Sequence, residues 1–384
     1  MKVTSAIIVG GGICGLTTAL SLARLGIDVS VYERQGAISE VGAGLTLWPN
    51  ALSALKQLGL YGAALAHGQL VESFQFFSDS GLLGAVDLEH LDRLTGFPAV
   101  SIERRKLVAM LKSAAYGMPL RTDKTFVRMQ ENSATKDAGI TAFFSDGSMA
   151  RADILIGCDG FNSAVRQQLF GPTQRHYCGY TCYRGVSKVS DLPSGAVWHT
   201  TGLGIQFGLL HVGGENLAWY ATANEPAAVA EDADQRKERL LERYGTLGEL
   251  IEKTIRACPA EAILRNDIYE LEPLASWHRG RALVIGDAAH PTTPNLGMGA
   301  GLAIEDAVVL GQCLESCDSI DVAFNLFEQR RMSRARQVVR ASRRAGERAQ
   351  VESAFMASLR DKVFAMMLKS GRIPALDRLF SYRL

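Results

Sequence analysis

The sequence predicts an α/β fold: a Rossmann-type dinucleotide-binding domain interleaved with an antiparallel-sheet domain and followed by C-terminal helices. Three observations lead there. A strand, a glycine turn, a helix and a second strand open the chain between Val3 and Glu33. A further apolar strand, Ala282–Gly286, runs into another glycine-rich segment near the far end. Between them, from about Tyr177 to Asp267, short runs alternate and break at glycine turns, as in an antiparallel sheet.

The first strand is Val3–Val9, and its core Ala6-Ile7-Ile8-Val9 is apolar on both faces, as a buried parallel strand requires. A helix follows from about Ile13 to Leu25, then a strand from Asp28 to Glu33. Gly42 and Gly44 punctuate the segment Val41–Leu47. Pro49-Asn50 opens a helix with Ala51, Leu52, Leu55 and Leu58 on one face and Gly59 as its stop. Phe74–Ser78 reads as a strand, and Arg104–Ala115 as a helix carrying Leu107, Val108 and Leu111. A meander comes next: a strand near Phe126, then Ile140–Phe144, the turn Ser145–Ser148, and Ala152–Gly157.

Strands at Tyr180–Val186, Ile205–His211 and Leu217–Thr222 form the insert, with Gly213-Gly214 as a hairpin turn. A helical stretch, Ala233–Ala257, closes it. Gly301–Leu314 and Val322 to about Ala349 read as helices. The tail, Glu352–Leu384, is helical, with Phe355, Leu359, Val363, Phe364 and Met367 on one side. The expected division puts 1–75, 98–176 and 268–345 in the dinucleotide-binding domain. It puts 76–97 and 177–267 in a substrate-binding sheet domain, and 346–384 in a C-terminal helical segment.

Composition narrows the function. A chain of 384 residues buries a large core without disulfides or structural metal. Forty-one basic against forty acidic residues give a net charge of +1, which argues against nucleic acid as a partner. The Arg-rich helix around Arg330–Arg348 spreads its charges and is expected to be a solvated face. Seven scattered cysteines lack a paired ligand pattern, so no metal site is expected. Free thiols point to a reducing compartment and a cytoplasmic location. Residues 3–23 carry no charge, which mimics a signal peptide or membrane span. The glycines within that stretch split it into a strand and a helix, so no membrane association is expected from it. The one unusual count is thirty-eight glycines, against a typical ~7%.

Gly10-Gly11-Gly12-Ile13-Cys14-Gly15 fits G-x-G-x-x-G between a strand and a helix. Gly10 permits the turn, Gly12 lets backbone approach a pyrophosphate, and Gly15 allows close helix–strand packing. The helix start offers unpaired N–H groups to phosphate. Glu33, at the end of the next strand, suits a ribose diol. This motif alone does not separate FAD from NAD.

Two further motifs do more. Ala152–Arg166 (ADILIGCDGFNSAVR) resembles the "DG" fingerprint of flavoprotein monooxygenases, and Arg281–His290 (RALVIGDAAH) resembles their "GD" fingerprint. Pro294-Asn295-Leu296-Gly297-Met298-Gly299-Ala300-Gly301 and Ala303–Ala307 continue it. In order and spacing the chain resembles the single-component FAD-dependent aromatic hydroxylases, which include salicylate, 3-hydroxybenzoate, urate and alkylquinolone hydroxylases. The resemblance implies FAD as cofactor and NADH or NADPH as transient co-substrate. It implies hydroxylation of an aromatic or heteroaromatic small molecule with O2, through a flavin C4a-hydroperoxide. The alternative is a reductase or halogenase of the same fold. It also implies a monomer or homodimer.

The resemblance implies a set of cofactor contacts: Gly10, Gly12, Cys14 and Gly15 at the pyrophosphate, and Glu33 with Arg34 beside the adenosine. It adds Gly44, Leu45 and Thr46 along the isoalloxazine, with Gly42 easing the same passage. Arg104 is the FAD-contacting arginine, although Arg105 leaves the register open. Phe126 or Val127 gives backbone to adenine, Asp159 links the flavin site to nicotinamide use, and Asp287 meets the ribityl chain. Gly297, Met298, Gly299 and Ala300 present backbone N–H groups to the flavin pyrimidine edge. Met298 stands where the family usually has Gln.

No catalytic side chain stands out. His290 follows Asp287 closely, and the family uses that position structurally. Alternation puts Gln206, Gly208 and Leu210 on one sheet face, with Ile205, Phe207, Leu209 and His211 on the other. Gln206, Tyr220 on the partner strand, and Pro294 are the substrate-binding candidates. Gln206 falls where urate- and quinolone-type relatives carry Arg, which favours a neutral substrate. The apolar tail helix is left as a membrane foot, a dimer surface or packing on its own domain.

Overall fold

A computed structural model describes residues 3–37, 43–132, 138–369, 371 and 373–384. Strand Ser5–Val9 is fully apolar beyond Ser5 and is buried, so it occupies the middle of a six-stranded sheet. In spatial order the strands are His278–Arg279, Ala282–Val284, Ile154–Gly157, Ser5–Val9, Asp28–Tyr32 and Leu120–Arg121. All pairings are parallel except the His278–Arg279 edge. The chain leaves Ser5–Val9 to one side first and fills the other side later. A sheet whose order reverses in this way opens a crevice at its carboxyl ends.

The expected strand Ala152–Gly157 is two strands. Met149–Ala152 runs antiparallel to Gly139–Phe144, and Ile154–Gly157 then joins the parallel sheet. Asp153 makes the corner. Its Oδ2 accepts from the Thr4 and Ser5 backbone N–H groups at 2.7 and 3.0 Å and from Thr4 Oγ1 at 2.7 Å. A short polar side chain that satisfies loose backbone donors lets the chain change sheets between two apolar runs.

A seven-stranded sheet faces the crevice. Its order is Leu264–Leu271, Arg175–Lys188, Asn216–Asn224, Ile205–His211, Ala196–Thr201, Ser73–Ser78 and Gly81–Ala85. Strand Ala196–Thr201 is absent from the sequence-based expectation. It mixes aromatic and hydroxyl side chains, and the alternation rule has no purchase on it. It pairs parallel with Ser73–Ser78 and antiparallel with Ile205–His211. The expected helix Ala233–Ala257 is broken into Ala233–Tyr244 and Glu249–Ala257. Gly248, at φ +153°, makes the break. These helices cover one sheet face, where Phe207, Leu209, Trp219 and Ala221 are buried with Tyr244 and Ile255.

The tail forms helices Ala354–Leu368 and Pro374–Phe380. Phe380 stacks on Trp48 at 4.2 Å, and Phe364 meets Phe76 edge-on at 4.9 Å. The outer side of the first tail helix is left open, with Phe355 76% exposed. Among the described residues no helix is long and apolar enough to cross a membrane. The Arg-rich helix, Ile320–Ala349, corrects an expectation. Arg331 and Arg334 are buried beneath it rather than solvated.

Candidate functional site

Three glycine turns meet at the carboxyl ends of Ser5–Val9, Ile154–Gly157 and Ala282–Val284. Backbone bonds lock them together. Cys158 N–H donates to Val9 O at 2.8 Å, and Ile285 N–H donates to Gly157 O at 3.1 Å. Cys14 sits at the junction, so close to Gly286 that a Cβ there would lie 2.8 Å from Cys14 Sγ. A hydrogen bond with Cys158, and burial after it, push the Cys14 thiol up, which makes Cys14 a packing residue rather than a thiolate. Helix Ile13–Ala23 begins at Gly12 with no side-chain cap, so its first amides point free into the crevice.

Two glycines in this turn differ instructively. A Cβ on Gly15 would lie 1.8 Å from Gly10 O, so the helix can approach the strand only without one. A Cβ on Gly12 would meet nothing within 4 Å among the described residues. The protein itself leaves room at Gly12.

Glu33 closes the far side of the turn. Its Oε2 accepts from Gly11 N–H at 2.7 Å and its Oε1 from Gln35 N–H at 3.0 Å. Each oxygen retains a second lone pair for a diol. Arg34 is exposed beside it. Backbone bonds from Lys124 to Glu33 O and from Asp123 to Gln35 O bring the start of strand Phe126–Asn132 to the same edge. Phe126 is buried there and Val127 is 56% exposed, so only Phe126 anchors that edge in the core.

Arg104 and Arg105 differ in their partners. Arg105 Nε donates to Glu103 Oε2 at 2.5 Å. Arg104 instead acts electrostatically on Asp287, the carboxylate at the end of the Ala282–Val284 strand. The protein packed around Asp287 pushes the pKa of its carboxyl above the usual carboxylate range, against the opposing pull of His290 and Arg104. Its side chain is nevertheless reachable from the crevice. Among the described residues it has no hydrogen-bond partner. We predict that Arg104→Ala weakens FAD binding about tenfold, the value of one charge-assisted contact, whereas Arg105→Ala changes it less than about twofold. Fluorescence titration of apoprotein with FAD checks both.

The second glycine segment lies opposite. Pro294–Leu296 forms a 3₁₀ turn, Gly297 adopts φ +61°, and helix Gly299–Ser316 starts after Met298 with no side-chain cap. The Met298 side chain is 1% exposed and packs with Trp48, Leu210 and Leu302, which leaves only its backbone for a ligand. Asn295 Nδ2 donates to Tyr180 Oη at 2.8 Å, and Trp48 Nε1 donates to Leu296 O at 3.1 Å. The first bond pins the turn that carries Pro294 against the sheet domain, and the second ties it to the start of helix Pro49–Gln57. The open space at Gly12, the two uncapped helix starts and the unpartnered Asp287 together fit a long dinucleotide. The residues present can hold FAD.

Some expected contacts have local explanations. Gly44 begins strand Gly44–Leu47, and a Cβ there would lie 2.4 Å from Ala218 Cβ. The crossing of the two sheets is enough to require it, and Leu45 and Thr46 are half-buried beyond it. Gly42 lies outside the described residues. Asp159 caps helix Ala164–Phe170. Its oxygens accept from Ser163 Oγ at 2.5 Å and from the Ala164 and Val165 N–H groups at 2.7 and 3.1 Å. Helix initiation, shared with the N-cap Ser163, is one task of this aspartate. Arg166 ties the turns together, donating to Ala288 O at 3.0 Å and Phe161 O at 2.7 Å.

Beneath the second turn lies a buried ion network that sequence reasoning missed. Arg331 bonds Glu305 Oε2 and Asp306 Oδ1, each at 2.7 Å, and all three side chains are 0% exposed. Arg334 adds a contact to Glu305 at 3.1 Å. Asp306 Oδ2 accepts from Gly286 N–H at 3.0 Å and contacts His290 Nε2 at 2.6 Å. Asn50 Nδ2 donates to Glu305 Oε1 at 2.5 Å. His290 is therefore fixed by Asp306, in keeping with a structural role.

The sheet face toward the crevice is aromatic. Phe74 and Phe76 stack at 4.8 Å, and Phe76 lies 5.4 Å from the His199 ring. Tyr220 Oη is 2.5 Å from His199 Nδ1. Gln206 is on the expected face but is 3% exposed, and among the described residues its Nε2 has no partner. Its register partner, Thr222, accepts from Gln350 Nε2 at 2.6 Å. His199 was not among the sequence candidates, because its strand was not foreseen. The one available signal was a histidine close before Gln206.

Comparison with known proteins agrees with this geometry. A family model described as FAD binding domain matches residues 3–185 and 269–342. The chain is 35% identical over 376 residues to the aurachin C monooxygenase/isomerase of Stigmatella aurantiaca, covering 97% of this chain and 96% of that protein. It is 31% identical to an FAD-dependent urate hydroxylase of Klebsiella pneumoniae, covering 93% and 94%. It superposes with a TM-score of 0.89 on the solved structure of Klebsiella pneumoniae HpxO complexed with FAD and uric acid, at 27% identity and 98% and 96% coverage.

Proposed function

Because the chain belongs to the FAD binding domain family, we propose that it is an FAD-dependent monooxygenase that uses NADH or NADPH and O2 to hydroxylate an aromatic or heteroaromatic small molecule. The observation that carries this reading is the convergence of three glycine turns and Asp287 in one crevice, faced across its opening by an aromatic sheet surface. FAD, when bound, supplies hydride acceptance and dioxygen activation.

The protein's own residues bind, orient and keep water out. The free amides at the start of Ile13–Ala23 receive the pyrophosphate, and Glu33 takes the adenosine ribose. Asp287 would hold the ribityl hydroxyls, with Arg104 balancing its charge. The amides of Gly297, Met298, Gly299 and Ala300 would face the pyrimidine edge and stabilise negative charge there. Trp48, Leu210, Leu296 and Met298 form an apolar wall between cofactor and sheet, which excludes water from the reacting ring. The substrate domain comprises the seven-stranded sheet, with Tyr220 and Pro294 at the ring. Gln206 contributes a neutral amide to that face, so the substrate there is neutral.

The test is a screen of aromatic compounds against the purified yellow protein. Compounds that accelerate NADH or NADPH oxidation and yield a product heavier by one oxygen atom are the expected result. A colourless protein that cannot take up FAD sinks the reading.

A further inference from the structure

Helix Ala354–Leu368 is apolar on both of its sides. The inner side packs on the sheet domain. Ala357 and Leu368 are buried, Leu368 lies against Gly84, and Phe364 meets Phe76. Arg360 adds bonds to Thr201 Oγ1 at 3.4 Å, to Gly202 O at 3.5 Å and to Ala349 O at 3.3 Å. The outer side carries Phe355, Met356, Leu359, Val363, Met366 and Met367, each between 41% and 76% exposed. At about 100° per residue these six fall within one arc of about 120°. Leu82, on the strand that Leu368 packs against, and Leu203, next to Gly202, are exposed as well.

A helix on a water-facing surface puts polar residues opposite its packed stripe, whereas one that is apolar all round is covered on every side. The nearby charges indicate what covers this one. Asp361, the one acid in the helix, is bonded to Arg360 at 2.8 Å. Lys362 and Lys369 stand exposed just beyond one edge of the apolar arc, and neither has an ion-pair partner among the described residues. The preceding helix, Ile320–Ala349, ends in the exposed row Arg340, Arg344 and Arg348, likewise without ion pairs among the described residues. The Arg360 bond to Ala349 O ties the end of that helix to the tail. An apolar ridge beside unpaired cations matches an anionic bilayer surface, where the ridge sinks among acyl chains and the cations meet headgroup phosphates. A second copy of the chain is a poorer match. It would bring the same cations together, and six side chains on one helix fall short of the roughly 20–30 residues that each side of a stable interface supplies.

We propose that the outer face of helix Ala354–Leu368 docks on the surface of an anionic lipid bilayer, with the helix lying in the interfacial plane. It lies on the bilayer and does not cross it, since no helix among the described residues is long and apolar enough to span. The inner face keeps its place on the sheet, with Phe364 against Phe76. Docking therefore sets the aromatic wall of the crevice about 10 Å, one helix diameter, from the acyl chains. This placement is independent of the chemistry in the crevice.

The experiment is vesicle flotation of the full FAD-loaded chain. The vesicles are phosphatidylcholine alone, or an equal mixture of phosphatidylcholine and phosphatidylglycerol. The wild type is expected to float with the mixture and to be partly released by high salt. Phe355→Ser combined with Met366→Gln weakens binding about tenfold or more, as two side chains no longer leave water. Leu359→Ser combined with Val363→Ser repeats the loss from the middle of the arc. Lys362→Gln combined with Lys369→Gln weakens binding to the mixture about tenfold and leaves any binding to phosphatidylcholine alone unchanged. Tyr116→Ser, at an exposed ring just after helix Arg104–Ala114, changes neither. Retained FAD and Tm show that each variant is folded. A wild type that floats with neither vesicle, or one matched by both apolar variants, overturns the proposal. So does light scattering that finds a dimer in the wild type and a monomer in Phe355→Ser with Met366→Gln, since a second copy would then hold the ridge.

Discussion

Gly12→Ala will produce a protein that folds nearly as well as the wild type and does not retain FAD. The added Cβ meets no atom of the described residues within 4 Å, and Gly12 has an ordinary φ of −76°. The apoprotein therefore loses only the helix-capping preference for Gly over Ala, about 1 kcal/mol or less. The same methyl points into the space that the pyrophosphate needs. Overpacking against a ligand costs roughly 1–3 kcal/mol, which is roughly 10–100-fold in affinity. Gly15→Ala is the contrast. Its Cβ would fall 1.8 Å from Gly10 O, so the turn must move and both Tm and FAD content fall. Thermal melts of the apoproteins and flavin absorbance per chain separate the two outcomes. Equal losses of stability in both variants would show that Gly12 serves the fold and not the cofactor.

Arg331→Met will cost about 3–5 kcal/mol, because it leaves two buried carboxylates without their cation. Glu305 and Asp306 adjoin in sequence and face one guanidinium, and no water reaches any of the three. Urea denaturation checks the size of the loss. The acid limb of stability checks its origin. Burial alone would raise Asp306, but His290 and Arg331 hold it down to about 2. A folded-state value below the unfolded ~3.9 adds stability that is complete above pH ~4 and is lost as pH falls toward 2. That portion of the acid limb flattens in Asp306→Asn. The stakes are functional as well as structural, since Asp306 holds the Gly286 N–H that shapes the Asp287 turn.

The parts of the site legible in the sequence are those in which backbone geometry dictates residue type. Gly15 and Gly297 stand where a Cβ or a negative φ would defeat the turn, and Gly12 where a Cβ would enter the space left for a ligand, so the motifs announce themselves. Strand Ile205–His211 was legible with its bounds because its face alternation is regular. Side chains whose role depends on distant partners were not. Arg331 reads as a surface charge until helix Gly299–Ser316 brings Glu305 and Asp306 beneath it. His199 finds its partner only in Tyr220, two strands away across Gly208. Asp153 looks like any strand-edge aspartate until Thr4 and Ser5 supply the donors that turn the chain from one sheet into another. Asp159 shows the converse: a fingerprint residue whose observed bonds are those of a helix cap.

The central claim is that one crevice binds FAD and delivers an atom of dioxygen to an aromatic ring. Reaction of a screen-derived substrate under oxygen-18 gas, followed by mass spectrometry of the product, tests it most directly. One labelled oxygen atom is expected in the product, with no label taken from oxygen-18 water. Label arriving from water, or substrate recovered unchanged while NADH or NADPH is consumed, would contradict it.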